Sequence, residues 1–361
     1  MKTLLRLLLK SQHQLNRSGS AQIEKGMTLV ELLVGSIMAF LIITPMLGFV
    51  VDMLNTDRRE QVKSNTEQDL QAAVDFIAQD LSQAIYIYDN AGINDITKPS
   101  NQLPPPPQNT TGTPILVFWK RQQIKNAVPI NSLPNSAQTP SQCGDPKDGK
   151  CNDTYVLSLV AYYQIKDTTS SPTWCQPSGS PATCPTRIAR YEIRDGVKNP
   201  YSNATPPYYS TDPKSNDHPP DEAFNIEIDP TKSFSLNTPK VNVTNLSKLS
   251  SVKTEVLVNY IDYSPGPKTI DPEECQKALG NPTDTSGVTP KPVEETTLKI
   301  ADGTVNSFYA CVDTEKNLAR VTIRGNSLRR LQPNYADYDA KKSAFFPTAT
   351  VQVQGLGARG K

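Results

Sequence analysis

The chain has 361 residues and near-equal charge, 37 Lys+Arg against 36 Asp+Glu, for a net +1 at neutral pH. That balance gives no case for nucleic acid as a partner. Thirty-one prolines and 18 glycines argue against a mostly helical fold, while 37% hydrophobic residues still permit a packed core of modest size.

In chain order, residues 1–26 are basic, with Lys2, Arg6, Lys10, Arg17 and Lys25 against a lone Glu24. Their start, M-K-T-L-L-R-L-L-L-K, reads either as an amphipathic segment lying along a membrane surface or as part of a discarded leader. From Met27 to Val51 the only ionisable side chain is Glu31. Those residues make roughly 37 Å of helix, against a bilayer core of about 30 Å. The basic flank keeps the N-terminal end in the cytoplasm, so everything after Asp52 is exported. The run is too long and too branched for an ordinary signal peptide. A plain membrane anchor accounts for everything except Glu31, a carboxylate inside the span, and Gly26, five residues ahead of it. Pro45 removes a backbone donor inside the span and is expected to kink or loosen the helix.

Gly26, Met27 and Glu31 together resemble the processing site of type IV pilins and type II secretion pseudopilins. The resemblance implies cleavage after Gly26 by a prepilin peptidase, methylation of the new Met27 amine, and a glutamate at the fifth mature position. Phenylalanine is commoner where Met27 stands. It also implies that Glu31 meets the Met27 amine of a neighbouring subunit, since packing helices in lipid would otherwise leave that carboxylate unpaired. The implied partners are other pilin-like subunits and an inner-membrane assembly platform; no cofactor is implied. Within the family, the leader, the span F-L-I-I-T-P-M-L-G-F and residues 52–59 look like the cyanobacterial pseudopilins of hormogonium polysaccharide secretion. The resemblance covers about the first 90 residues. The implied location is single-pass in the inner membrane, with the leader cytoplasmic and the head periplasmic or extracellular.

The sequence divides into a leader at 1–26, a transmembrane helix at 27–54 and an exported amphipathic helix at 55–92. Leu70, Val74, Ile77, Leu81, Ala84, Ile85 and Tyr88 form its apolar stripe. The turn cluster Asp89-Asn90-Ala91-Gly92 is expected to end the helix. Residues 93–114 read as a proline-rich linker. Residues 115–361 read as a β-rich head, with strands expected at 115–120, 155–166, 187–195, 224–228, 255–263, 308–313, 319–324 and 349–354. The segments 155–166 with 187–195, and 308–313 with 319–324, read as antiparallel hairpins. Long polar insertions separate the strands at 125–154, 196–223 and 264–295. The fold class is therefore α+β and pilin-like, with a helix packed on an antiparallel sheet and long disulfide-stapled loops.

All six cysteines, Cys143, Cys151, Cys175, Cys184, Cys275 and Cys311, follow the span, and an even count in an exported domain argues for disulfides. Fifteen connectivities are possible; local spacing suggests Cys143–Cys151 and Cys175–Cys184, which leaves Cys275–Cys311 to tie the third insertion to a strand. These spacings, with only two histidines in the chain, argue against zinc. No nucleophile elbow, phosphate loop or metal-binding His-Glu pattern is present. His218 reads as a solvated loop side chain, and Asp271, Glu273 and Glu274 as surface charge. Residues 145–153 resemble a calcium loop in composition only. Arg320, Arg324, Arg329, Arg330, Lys341 and Lys342 form a late basic group, either a solvated surface or a site for an anionic partner. Trp119 reads as core and Trp174 as packing on a disulfide.

Three functions stand open at this point. The first is a minor pseudopilin or pilin subunit in a short envelope-spanning filament, serving secretion (of polysaccharide, on the closest resemblance) or pilus initiation. The second is a pilin-anchored adhesin whose head binds a surface or glycan. The third, an anchored enzyme, has no catalytic constellation to support it.

Overall fold

The computed structural model describes residues 28–97, 101–130, 138–145, 149–169, 173–175, 180, 183–226, 244–264, 271–284, 289–303 and 305–357. The chain divides into two compact units, Met1–Arg58 and Arg59–Lys361, and the helix α1 (Leu29–Ser82) runs through the division.

In the first unit every described residue is exposed, including Leu29 at 85% and Phe49 at 71%. Thr28 starts the helix: its Oγ1 accepts from the Glu31 amide at 3.3 Å, and its carbonyl accepts from the Leu32 amide. Two hydroxyls inside the apolar stretch turn back onto the helix, Ser36 Oγ to the Leu33 carbonyl and Thr44 Oγ1 to the Phe40 carbonyl, both at 2.8 Å. They therefore present no unsatisfied donor to the surroundings.

The second unit is an α+β head. Five strands, β1 (Ala84–Ile87), β2 (Thr110–Pro129), β3 (Cys151–Asp167), β4 (Thr186–Arg194) and β5 (Thr254–Ile261), form one antiparallel sheet in chain order. A two-stranded ribbon follows, β6 (Thr283–Asp284) with β7 (Lys291–Pro292). A second antiparallel sheet, in the order β11-β10-β9-β8, is made by β8 (Lys299–Asp302), β9 (Val305–Asp313), β10 (Leu318–Arg324) and β11 (Thr348–Gln354). One core joins the two sheets and α1, whose Leu70, Ala73, Val74, Ile77 and Leu81 are each at most 1% exposed. Each large side chain so buried contributes about 1.5–3 kcal/mol. Trp119 is wholly buried, and its indole N–H donates to Tyr88 Oη at 3.0 Å.

The helix ends ahead of its expected bound at 92, and seven residues before the turn cluster at Asp89. The α1 helix stops at Ser82, whose hydroxyl bonds the Gln79 carbonyl, and Ala84–Ile87 crosses over to pair with β2. The stripe Leu81, Ala84, Ile85, Tyr88 fits a helix, but A-I-Y-I also fits a half-buried strand, and β2 supplies the partner. The turn cluster begins a second helix, α2 (Asn90–Thr97), where Asp89 Oδ1 accepts from the Gly92 amide at 2.7 Å. The proline run is not a free linker. Tyr163 and Tyr191 donate their hydroxyls to the Pro104 and Pro105 carbonyls, holding the segment against the first sheet. Of the expected strand at 224–228, only the bridge between Phe224 and Thr244 is seen, and 227 and 228 lie outside the described residues.

Three disulfides join Cys143 to Cys151 and Cys175 to Cys184, the pairs suggested by local spacing, and Cys275 to Cys311, the pair those two leave. Cys275–Cys311 ties the short helix Glu274–Ala278 to β9 and sits in its own apolar cluster with Leu279, Leu298 and Tyr309.

Where the two sheets meet, Ile261 bridges Gly325, and α1 comes close. A Cβ at Gly325 would lie 2.8 Å from Thr66 Cγ2 and 3.0 Å from Leu70 Cδ1. Gly325→Ala is accordingly expected to destabilise the head by about 1–3 kcal/mol, read as a lower denaturant midpoint with an unchanged slope. Beyond β11, the chain lies over the outer edge of β1. A Cβ at Gly357 would be 2.0 Å from the Ile85 carbonyl oxygen, so this tail covers an edge that would otherwise be open to another strand.

Candidate functional site

Two features stand out: the apolar part of α1 with its single carboxylate, and the buried charge cluster that fastens α1 to the first sheet.

The apolar stretch is long enough and apolar enough to cross a membrane. Large side chains are exposed all round it, among them Val30, Leu33, Ile37, Leu41, Ile43 and Phe49. A helix apolar on every side has no solvated face, so it requires either lipid or other helices around it. Glu31 lies in the first turn of α1, where the positive end of the helix dipole favours an anion. Among the described residues no cation is within ion-pair distance of its carboxylate. Pro45 sits inside α1, where its missing N–H leaves the Leu41 carbonyl without its usual helical donor. Gly26 and Met27 lie outside the described residues, as does the rest of the leader.

In the head, Asp80 of α1 is buried against three strands. Its Oδ1 accepts from Lys120 Nζ of β2 at 3.0 Å. Its Oδ2 accepts from Arg190 Nε of β4 at 2.8 Å and from Tyr162 Oη of β3 at 2.7 Å. Glu192 completes the charge balance, 3.2 Å from Lys120 and 2.6 Å from Arg190. Burial is the largest influence on the Asp80 carboxyl and pushes its pKa up. The Arg190 hydrogen bond and the Lys120 and Arg190 charges outweigh that and hold it below the usual carboxylate range. Glu192 is lowered too, with burial opposing and Lys120 and Arg190 prevailing. Burial and then Asp80 push the Tyr162 hydroxyl far up, so it remains a donor throughout the accessible pH range. Sequence reading missed this cluster. The available signal was one charged residue, Asp80, set between Ile77 and Leu81 of the apolar stripe.

Other sequence candidates are dispersed. His218 is not a freely solvated loop residue. It is half-buried with a left-handed backbone (φ 50°), and its carbonyl accepts from the Val197 amide. Burial first, then Arg194, lowers its pKa. It lines an open groove of about 750 Å³ with Arg190, Glu192, Arg194, Asp221 and Lys253, a mixed-charge surface. Asp271 pairs with Lys277, and Glu274 with Tyr309 and Lys299. The late basic residues do not make one solvated patch. Arg324 is buried on Asp262, and Arg330 is bonded to Asp69 and stacked on Tyr260. Trp174 carries the Arg187 guanidinium over its ring at 5.2 Å. Among the described residues, no group of three or more His, Cys, Asp or Glu is placed to hold a metal ion, and 146–148 of the composition-based calcium loop lie outside them.

No protein-family model, no curated protein and no solved structure matches this chain. The fold is compatible with the pilin-like class: a long N-terminal apolar helix, an antiparallel sheet packed on the continuation of that helix, and disulfides in the head.

Proposed function

We propose that this chain is a minor pilin-like subunit, a pseudopilin, cut after Gly26 and assembled into a short filament through Glu31. The observation that carries the reading is the apolar stretch of α1, every residue of which is exposed as far as Arg58, with one carboxylate in its first turn and a folded, disulfide-bonded head beyond it. Among the described residues this stretch has no packing partner, and a carboxylate inside it needs a cation from elsewhere. A neighbouring subunit's new N-terminal amine meets that need and sets the axial step between subunits. The head, with its stapled insertions, is bulky for a long homopolymer and suits a tip or low-abundance position. Secretion of a polymer across the envelope is the use that the leader and span resemblance supports. The test is the N-terminal mass of membrane-extracted protein: a chain beginning at methylated Met27 in wild type, and an uncut chain in Gly26→Ala.

A further inference from the structure

A cavity of about 100 Å³ lies where the end of β3 meets the junction of the two sheets, and two cations line it, Lys166 and Arg329. Among the described residues Lys166 has no ion-pair partner. Its amine rests over the face of Tyr263, 4.0 Å from the ring centroid. Arg329 is more enclosed, its side chain 11% exposed, and among the described residues its one carboxylate partner is Asp337 at 3.2 Å, whose side chain is 82% exposed. An ion pair so open to water is weak and easily exchanged. Its other guanidinium contact is the Pro333 carbonyl, which holds the group in place without neutralising it.

The remaining polar groups around the cavity have their protons committed elsewhere. Ser264 donates to Asp262, and Asn326 donates to Asp262 and the Ala336 carbonyl. Thr186 donates to the Ile261 carbonyl, and Tyr263 to Asp302. Behind them Arg324 and Asp262 neutralise each other at 2.8 Å. The donors left to act are therefore the Lys166 ammonium and the Arg329 guanidinium. Burial first, and the Arg329 charge second, hold the Lys166 pKa below its ordinary value, with Asp302 and Asp337 opposing. Two cations lining one partly enclosed space repel each other, and an anion between them removes that repulsion while accepting charge-assisted hydrogen bonds from both.

We propose that this cavity is a binding site for a small oxyanion of the phosphate or sulfate type, held by Lys166 and Arg329 with Asp337 displaced from the guanidinium. Its place on β3, the end of β5 and the turn after β10 makes the ligand a clasp between the two sheets. Binding would then restore the Lys166 amine towards its ordinary pKa.

The test is calorimetric titration of the full chain in detergent with inorganic phosphate, at constant ionic strength set by chloride. A saturable isotherm is expected for wild type, with affinity reduced tenfold or more in Lys166→Met and retained within a few-fold in Lys166→Arg. Thermal unfolding separates binding from salt exclusion. A binding contribution saturates and is absent from Lys166→Met, whereas exclusion grows steadily and is equal in both proteins. Absence of a saturable signal in wild type overturns the site, as does an unchanged isotherm in a folded Lys166→Met. Should Lys166→Met fail to fold, Arg329→Gln takes its place with the same expected loss.

Discussion

Replacing Asp80 by alanine is expected to destabilise the head by about 3–5 kcal/mol, a large share of the roughly 5–15 kcal/mol that holds a typical domain together. The substitution leaves Lys120 and Arg190 buried with Glu192 and the exposed Glu255, 3.5 Å from Arg190, to balance them, and it orphans the Tyr162 hydroxyl. It also cuts the polar link between α1 and strands β2, β3 and β4. Urea unfolding followed by the fluorescence of buried Trp119 reads the change directly. Replacing Asp80, Lys120, Arg190 and Glu192 together by apolar residues of similar size is expected to recover much of the loss, since the cost lies in the unpaired charges. A loss under about 1 kcal/mol for Asp80→Ala would show that the cluster is solvated and not an anchor. The same cluster sets an acid limit. Asp80 and Glu192 bind protons less readily folded than unfolded. The stability they contribute is therefore complete above the unfolded carboxylate values near pH 4 and is lost as pH falls through their lower folded values. Asp195 and Asp221, raised first of all by burial, act in the opposite sense and offset part of that loss.

Glu31→Ala is expected to abolish assembly while leaving membrane insertion and the head intact. Inserting the chain becomes slightly easier without a carboxylate in the apolar stretch. On the proposed assembly, packing two such helices in lipid would then leave a neighbouring amine unpaired, at a cost of about 3–5 kcal/mol per contact, or more than a hundredfold in the association constant. Co-isolation with other pilin-like subunits after cross-linking is the measurement, and Glu31→Asp, which keeps the charge, should retain part of the signal. Equal co-isolation of wild type and Glu31→Ala would leave the carboxylate as a side chain reaching for the membrane surface, and the anchored-adhesin reading would gain.

The apolar span and the disulfide pairs were readable because each rests on a local signal. An unbroken apolar run needs no tertiary information, and Cys143 with Cys151 and Cys175 with Cys184 are near neighbours in sequence. What could not be read depends on pairing between distant segments. Ala84–Ile87 is a strand because Phe118, Trp119 and Lys120 lie opposite it, and its own residues suit a helix as well. The four-residue strand β8, K-I-A-D, is too short and mixed to announce itself without β9. The Pro104–Pro105 segment looks like a linker until Tyr163 and Tyr191 are found bonding its carbonyls. Asp80 is the clearest case: its meaning lies in Lys120, Arg190 and Tyr162, which are 40, 110 and 82 residues away in sequence.

The most direct test of the account is the N-terminal mass of the protein extracted from membranes, compared between wild type and Gly26→Ala. The account predicts a wild-type chain starting at Met27 with one added methyl group, and an uncut chain in the variant. An intact Met1 start in wild type, or a cut beyond Val51, would contradict it and leave an anchored or secreted α+β head whose helix does not assemble.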